Sequence, residues 1–81
     1  MNVTVYGRPG CQPCAATRRR LDNLGIAHQF LDVDKLSNDA RCWLVDTIGT
    51  SPYALPFVVV RYDRGSDSWT GYRPDRIDAL A

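Results

Sequence analysis

The sequence predicts an α/β domain in which a mixed sheet of four strands is flanked by three helices, in the order β-α-β-α-β-β-α. Short runs rich in β-branched and aromatic residues alternate with stretches of helical periodicity. With 81 residues, the chain has room for one small core, so we expect residues 1–81 to form a single domain. A pair of cysteines, Cys11 and Cys14, lies where the first strand gives way to the first helix.

The first half of the chain predicts two parallel strands joined by a helix. Residues 1–6 form the first β-branched and aromatic run, and a turn follows. The helix is expected to begin after Cys11, with Pro13 in its first turn, where the missing N–H is tolerated, and to end at Gly25. The second strand is expected within residues 26–33. Because the connection is one helix long, the two strands should be parallel.

The second half predicts a helix followed by a hairpin and a terminal helix. The helix is expected over residues 34–49, with Ser37 or Asp34 capping its start and Gly49 ending it. Residues 56–60 are apolar throughout, which indicates a central strand. The remaining predicted elements are a turn at 63–67, a short strand at 68–70 and a helix at 74–80.

Composition and charge exclude several classes of protein. Hydrophobic residues at 44% and charged residues at 23% are ordinary for a soluble globular chain. The net charge of +1 argues against a nucleic-acid or membrane-binding surface, and residues 18–20 form the only basic cluster. No apolar stretch could span a bilayer, and the start lacks the features of a signal peptide. We therefore expect a cytoplasmic monomer with no nucleic-acid or membrane partner.

The spacing of Cys11 and Cys14 indicates a redox pair. A sulfur at a helix N-terminus lies near unpaired backbone N–H groups and the positive end of the dipole, which favour a thiolate, and Arg8 is a second candidate to assist. The exposed Cys11 is therefore expected to attack a disulfide of a partner, and Cys14, one turn further in, to resolve the mixed disulfide. Three cysteines are too few for the disulfide framework of a secreted domain.

A structural zinc site is the main alternative for this cysteine pair. It needs about four ligands, and only Cys42 and His28 could complete it, without a second paired spacing. We therefore expect no metal and no cofactor, and a non-catalytic role for Cys42. A non-catalytic metal- or iron–sulfur-binding module that bridges subunits through Cys11 stays open as a different class of function.

Three features, in this order, resemble one known family. They are the Cys-Gln-Pro-Cys motif at 11–14, Leu55-Pro56 before the third strand, and Trp-Thr-Gly-Tyr-Arg-Pro-Asp at 69–75. The last is similar to the Trp-Ser-Gly-Phe-Arg-Pro-Asp signature of NrdH-type redoxins. The resemblance covers essentially the whole chain and implies a thioredoxin fold of glutaredoxin size.

The resemblance implies a dithiol oxidoreductase that receives electrons from thioredoxin reductase, and ultimately NADPH, and passes them to class Ib ribonucleotide reductase or another disulfide-containing protein. It also implies a cis peptide bond between Leu55 and Pro56, beside the cysteine pair, that turns the Leu55 backbone outward toward an extended segment of the partner. Gln12 and Pro13 would contact that partner. They depart from the family pattern, which has an apolar residue and then Gln before the second cysteine, and Pro13 here is similar to thioredoxin.

Trp69 and Arg73 carry the C-terminal signature. A structural role, in which they link the hairpin to the last helix, is favoured over direct contact with a partner. The Gly-Gly-x-Asp corner that completes the glutathione pocket of glutaredoxins is replaced by residues 70–73. A glutaredoxin-type protein that uses glutathione or mycothiol is nevertheless the first alternative.

Overall fold

The computed structural model describes residues 1–48 and 55–81. Within them the chain follows the predicted order, with one short 3-10 helix added before the second α-helix. The elements are β1 Asn2–Gly7, α1 Gln12–Asn23, β2 Gln29–Asp32, the 3-10 helix Val33–Lys35, α2 Asn38–Ile48, β3 Phe57–Tyr62, β4 Gly65–Thr70 and α3 Pro74–Asp78. No helix in these two ranges is long and apolar enough to cross a membrane.

The four strands form one mixed sheet in the order β2-β1-β3-β4, which confirms the predicted fold class. β1 is parallel to β2 and antiparallel to β3, and β3 and β4 form an antiparallel hairpin. In the β1–β3 register Tyr6 is opposite Phe57. The end of β1, which leads to the cysteines, therefore lies beside the start of β3, which follows Leu55 and Pro56.

The second strand and the start of the second helix differ from the prediction. Ile26 still belongs to the turn that ends α1, because its N–H donates to the Leu21 carbonyl at 2.9 Å, so β2 begins only at Gln29. The Asp32 carboxylate accepts from the N–H of Asp34 at 2.9 Å and starts the 3-10 helix. Leu36 then adopts an extended backbone conformation, with φ −73° and ψ 151°, which separates residues 33–35 from the second helix.

Ser37 is the cap of α2. Its hydroxyl oxygen accepts from the N–H of Ala40 at 3.2 Å, which satisfies one of the free donors of the first turn. The prediction of Ser37 as a cap is therefore confirmed and that of Asp34 is wrong. The predicted end at Gly49 lies outside the described residues.

The hairpin turn is shorter than predicted. Asp63 and Arg64 are its only two turn residues in the structure, and Tyr62 is paired with Gly65, which has a φ of +153°. Because two residues suffice to reverse the chain, β4 extends back over residues that the sequence assigned to the turn. The last helix also ends earlier than predicted, at Asp78.

The sheet is covered on both faces. Alternate residues of β3 point to opposite sides, so Val58 and Val60 pack under α1 and α3 while Phe57 and Val59 pack under α2. The core on the α1 side also includes Val3, Val5, Leu21, Ile26, Trp69 and Ile77. The core on the α2 side also includes Val33 and Leu44. The strands that lead to the cysteine pair are thus fixed from both sides.

Candidate active site

The end of β1 and the start of α1 bring the two cysteines together. Cys11 is the N-cap of α1, and its Sγ accepts a hydrogen bond from the backbone N–H of Cys14 at 3.3 Å. The turn before it is closed by the Cys11 N–H, which donates to the Arg8 carbonyl at 3.2 Å, and Gly10 supplies the positive φ of +80° that this turn requires. Pro13 lies in the first helical turn, as predicted.

The two sulfurs differ in exposure. Cys11 is partly exposed, whereas Cys14 is buried, with 2% of its surface accessible. Both are free thiols in this structure. The Cys11 sulfur takes the place of the oxygen of an ordinary N-cap side chain and accepts a hydrogen bond from the helix backbone. One accessible thiol and one shielded thiol thus lie one helical turn apart.

Burial raises the pKa of the Cys14 thiol to about 11. The hydrogen bond with the Cys11 side chain raises this pKa further, while the backbone hydrogen bond from Arg8 lowers it in part. At neutral pH Cys14 therefore keeps its proton. A thiol of this kind is a poor first nucleophile and can react only when a disulfide is brought next to it.

Gly7 makes room for the buried sulfur. A Cβ atom at this position would lie 2.6 Å from the Cys14 Sγ and 3.0 Å from the Cε2 of Phe30. Only glycine leaves this space open without a shift of the sulfur. The sequence predicts only a turn directly after residues 1–6, and nothing in a single sequence distinguishes a turn glycine from one that leaves room for a neighbour.

The third segment of the site confirms the cis bond that the resemblance implies between Leu55 and Pro56. Pro56 is buried, and Leu55 is partly buried against the core on the α2 side. The Pro56 carbonyl accepts from the N–H of Gly71 at 2.8 Å, which ties this segment to the corner after β4. Leu55 and Pro56 therefore lie at the same sheet edge as the cysteines, on the β3 side.

The signature residues Trp69 and Arg73 lie in β4 and at the start of α3. Trp69 is 6% exposed and packs in the core under α1 and α3. The Arg73 guanidinium forms an ion pair with Asp75 at 3.2 Å. Neither residue lines the groove beside the cysteines. The structural role of linking the hairpin to the last helix stays a prediction.

A groove of about 190 Å³ opens beside the cysteine pair, on the β2 side. Its lining consists of Arg8, Pro9, Gly10, Cys11, Cys14, Ala15, Arg18 and Phe30. The sequence suggested that Arg8 assists Cys11. In the structure the Arg8 guanidinium forms an ion pair with the Asp34 carboxylate at 3.2 Å, so its charge is shared with that carboxylate. Sequence analysis did not identify Arg18 and Phe30 as neighbours of the site, because their contact joins α1 to β2.

The other candidate residues, Cys42, His28, Gln12 and Pro13, are not among those that line this groove. Cys42 is exposed on α2, and Gln12 and Pro13 are exposed at the tip of α1. The His28 ring is within hydrogen-bond distance of the Ile26 carbonyl, at 3.1 Å. In residues 1–48 and 55–81 no group of three or more His, Cys, Asp or Glu side chains could hold a metal ion, so these residues give no support to the zinc alternative.

Comparison with known proteins points to the same chemistry. The glutaredoxin family model matches residues 3–60, which include both cysteines and Leu55-Pro56. The glutaredoxin-like protein NrdH of Escherichia coli strain K12 is 32% identical over 80 residues, which are 99% of this chain and 89% of that protein. The gene 56 protein of Mycobacterium phage D29 is 28% identical over 78 residues, 96% of this chain and 80% of that protein.

The structural comparison agrees with the sequence comparison. The solved structure of NrdH-redoxin from Escherichia coli superposes with a TM-score of 0.78 at 33% identity, and the match covers 100% of this chain and 96% of that one. The fold is therefore the thioredoxin fold that the resemblance implied. The chain belongs to the glutaredoxin family, as a thiol–disulfide oxidoreductase of the NrdH-redoxin type.

Proposed function

We propose that the protein is an electron carrier that takes electrons from thioredoxin reductase and NADPH and delivers them to protein disulfides, foremost that of class Ib ribonucleotide reductase. The observation that carries this proposal is the asymmetry of the pair, with Cys11 accessible at a helix N-terminus and Cys14 buried and protonated. The ribonucleotide reductase partner is supported by the similarity to NrdH proteins.

The geometry supports a two-step exchange. The Cys11 thiolate attacks one sulfur of the partner disulfide, so a mixed disulfide forms and the other partner sulfur leaves as a thiolate that takes up a proton. Cys14 then gives up its proton and attacks the Cys11 Sγ, which releases the second partner sulfur. The partner gains two electrons and two protons, and the carrier is left with a Cys11–Cys14 disulfide. Thioredoxin reductase returns it to the dithiol by the reverse exchange.

In this proposal the partner binds to the segment that precedes β3. Leu55 lies at the sheet edge beside the cysteines, where its backbone is placed to pair with an extended chain. Gln12 and Pro13 are exposed at the tip of α1 and form the rim that a partner must approach to reach Cys11. Main-chain pairing gives affinity without a requirement for one sequence, which suits a carrier with several disulfide partners.

The choice of thioredoxin reductase over glutathione rests on the corner after β4, where the residues that would take the place of the glutaredoxin glutathione site offer few donors. Glutathione has two carboxylates, which need charged or backbone donors at fixed positions. The Arg73 guanidinium is already paired with Asp75, and Pro74 has no backbone N–H to offer at this corner. The solved Escherichia coli relative is described by a thioredoxin-like activity profile. A protein reductase needs only an exposed Cys11 and the Leu55 backbone.

The test is a comparison of two reducing systems with one disulfide substrate. We expect rapid NADPH oxidation with thioredoxin reductase, and at least about tenfold slower turnover with glutathione and its reductase at matched concentrations. Mycothiol with its reductase serves as a third arm. Comparable rates with a low-molecular-weight thiol would assign the protein to the glutaredoxin-type alternative. No reduction of the substrate by any system would contradict the carrier function itself.

A cytoplasmic monomer is the form in which we propose that the carrier works. Three cysteines are too few for the disulfide framework of a secreted domain, and a redox-active pair of thiols is typical of a reducing compartment. A monomer also leaves Cys11 open to large partners. Light scattering of the reduced protein tests the monomer, and a dimer that covers Cys11 would contradict it. Fractionation of cells tests the location, and a protein found outside the cytoplasm would contradict that.

A further inference from the structure

The groove beside the cysteine pair combines a positive charge with an aromatic wall. We propose that it binds the carboxylate of an acidic residue that flanks the target cysteine in the partner protein, with Arg18 as the receptor. This inference rests on the proposed function, since it concerns the substrates of the same exchange. The protein would then prefer partner disulfides that are flanked by acidic residues, a preference that the cysteine pair by itself does not specify.

Arg18 lies on the reactive face of α1. It follows Cys11 by seven residues and Cys14 by four, and this spacing places the three side chains on one side of the helix. Its guanidinium carbon is 4.4 Å from the centre of the Phe30 ring of β2. A cation stacked on a ring is restricted in its motion while the N–H groups at its edge stay available. Arg18 is thus held against the wall of the groove in a form suited to a carboxylate.

The neighbouring arginines are directed elsewhere. Arg20 forms an ion pair with Asp78 at 2.6 Å, and Arg8 forms one with Asp34 at 3.2 Å. Arg19 lines a different groove, with Tyr72, between α1 and the last corner of the chain. In the two ranges that the structure describes, Arg18 has no carboxylate partner. The groove beside the cysteines therefore has one positive charge that an acidic group can neutralise.

The topology favours a partner segment as the source of this carboxylate. Phe30 belongs to β2 and Leu55 precedes β3, and these strands flank β1 on opposite sides. An extended segment that pairs with the Leu55 backbone and places its cysteine at Cys11 continues across the end of β1 toward the groove. Successive residues of such a segment are about 3.3 Å apart, so a residue next to the cysteine or one further on reaches Arg18.

The test uses cyclic disulfide peptides that differ only in the residues flanking the disulfide, which are Glu, Gln or Lys. The rate at which the reduced protein reduces each peptide is divided by the rate with dithiothreitol, so that intrinsic reactivity cancels. We expect a rate for the Glu peptide about fivefold above that for the Gln peptide and a lower rate for the Lys peptide. This preference should shrink as salt is added.

Variants on one helix identify the receptor. In Arg18→Gln the Glu and Gln peptides should react at equal rates, so the ratio of the two rates falls to about one. Arg18→Lys should keep part of the preference. Arg19→Gln removes the same charge from a different groove and should keep all of it. A preference that survives Arg18→Gln, or that Arg19→Gln removes as well, overturns the inference.

Two further arms separate this inference from other outcomes. Glutathione disulfide has carboxylates but no extended segment, so we expect its reduction to depend on Arg18 less than that of the Glu peptide. Equal dependence would assign the groove to small thiols and overturn the proposal. If the parent protein fails to reduce even the Gln peptide, the carrier function is at fault, because the groove is not needed for that reaction.

Discussion

The two faces of the sheet each carry a helix with cysteine, and the cysteines of the two helices lie in different surroundings. α1 places Cys11 at its N-cap and Cys14 under the sheet edge, and it is tied to α3 by the Arg20–Asp78 ion pair at 2.6 Å. α2 carries Cys42 on an exposed surface. The difference teaches that reactivity here comes from the position of a thiol at a helix end and from a buried neighbour, and not from exposure alone.

The largest effect is expected at Cys11. Cys11→Ser removes the attacking sulfur, so disulfide reduction should fall by about a thousandfold or more. Cys14→Ser keeps the attack but blocks resolution, so mixed disulfides with partners should accumulate. Turnover with a disulfide substrate and mass spectrometry of the trapped species measure the two outcomes. Faster alkylation of Cys14 or Cys42 than of Cys11 at mildly acidic pH would contradict the assignment.

A second comparison tests the packing of the two faces. Leu21 of α1 and Leu44 of α2 are both completely buried. Among the residues that the structure describes, Leu21 packs in the larger cluster, so Leu21→Ala should reduce the free energy of unfolding by about 3–4 kcal/mol, and Leu44→Ala by about 2–3 kcal/mol. Urea denaturation of the reduced proteins measures both. A larger loss of unfolding free energy for Leu44→Ala than for Leu21→Ala would show that packing on the α2 side contributes more to stability.

The buried thiol makes stability depend on alkaline pH. The folded-state pKa of Cys14, about 11, is above that of an unfolded cysteine, so the protonated form is favoured in the folded protein. The protonated Cys14 thiol therefore makes its full contribution to the free energy of unfolding below about pH 8.5. This contribution is lost as the pH rises toward 11, and the free energy of unfolding falls by about 2 kcal/mol or less. Denaturation at several pH values measures this loss, and Cys14→Ser should show a smaller one. If the free energy of unfolding of Cys14→Ser fell with pH as steeply as that of the parent, the effect would come from a group other than Cys14.

A smaller effect is expected when the space at Gly7 is filled. The added methyl group of Gly7→Ala would meet the Cys14 Sγ, which must move away. We expect a stability loss of about 1–2 kcal/mol and slower resolution of the mixed disulfide, with the alkylation rate of Cys11 unchanged. Single-turnover kinetics separate the two steps. A slowed first step with an intact second step would show that Gly7 acts on Cys11 instead.

The smallest effect is expected on the α2 face. Cys42→Ser should leave turnover within a few-fold of the parent, and the free energy of unfolding should change by about 0.5 kcal/mol or less, because the side chain is exposed. Activity and urea denaturation provide the measurements. Loss of activity in a folded Cys42→Ser protein would show that a third thiol takes part.

The parts of the fold that follow from local rules could be predicted from the sequence. The apolar run of β3, the glycine that ends α1 and the Ser37 cap each act within a few residues, so their patterns are visible in one chain. The sequence does not predict the 3-10 helix, because Asp32 and Ser37 cap two separate helices and the extended backbone of Leu36 lies between them. Helical propensity alone does not show that the chain breaks at Leu36.

The residues of the site also fall into those that local sequence predicts and those that depend on tertiary packing. Cys11 and Cys14 were identified because their spacing and position have a direct chemical meaning, and the cis bond at Pro56 was accessible only through the resemblance. The stacking of Arg18 on Phe30 depends on how α1 lies against β2. Contacts of this kind arise from tertiary packing, and no periodicity in a single sequence records them.

The placement of the two tryptophans gives each face of the sheet its own optical reporter. Trp69, 6% exposed under α1 and α3, should emit at short wavelength, whereas Trp43 of α2, 41% exposed, should emit at longer wavelength. The Trp43 ring lies 6.1 Å from that of Tyr6 on β1, so its emission reports on the α2 face. A chain with one indole on each side can thus show by fluorescence whether both layers of helices separate from the sheet in the same transition.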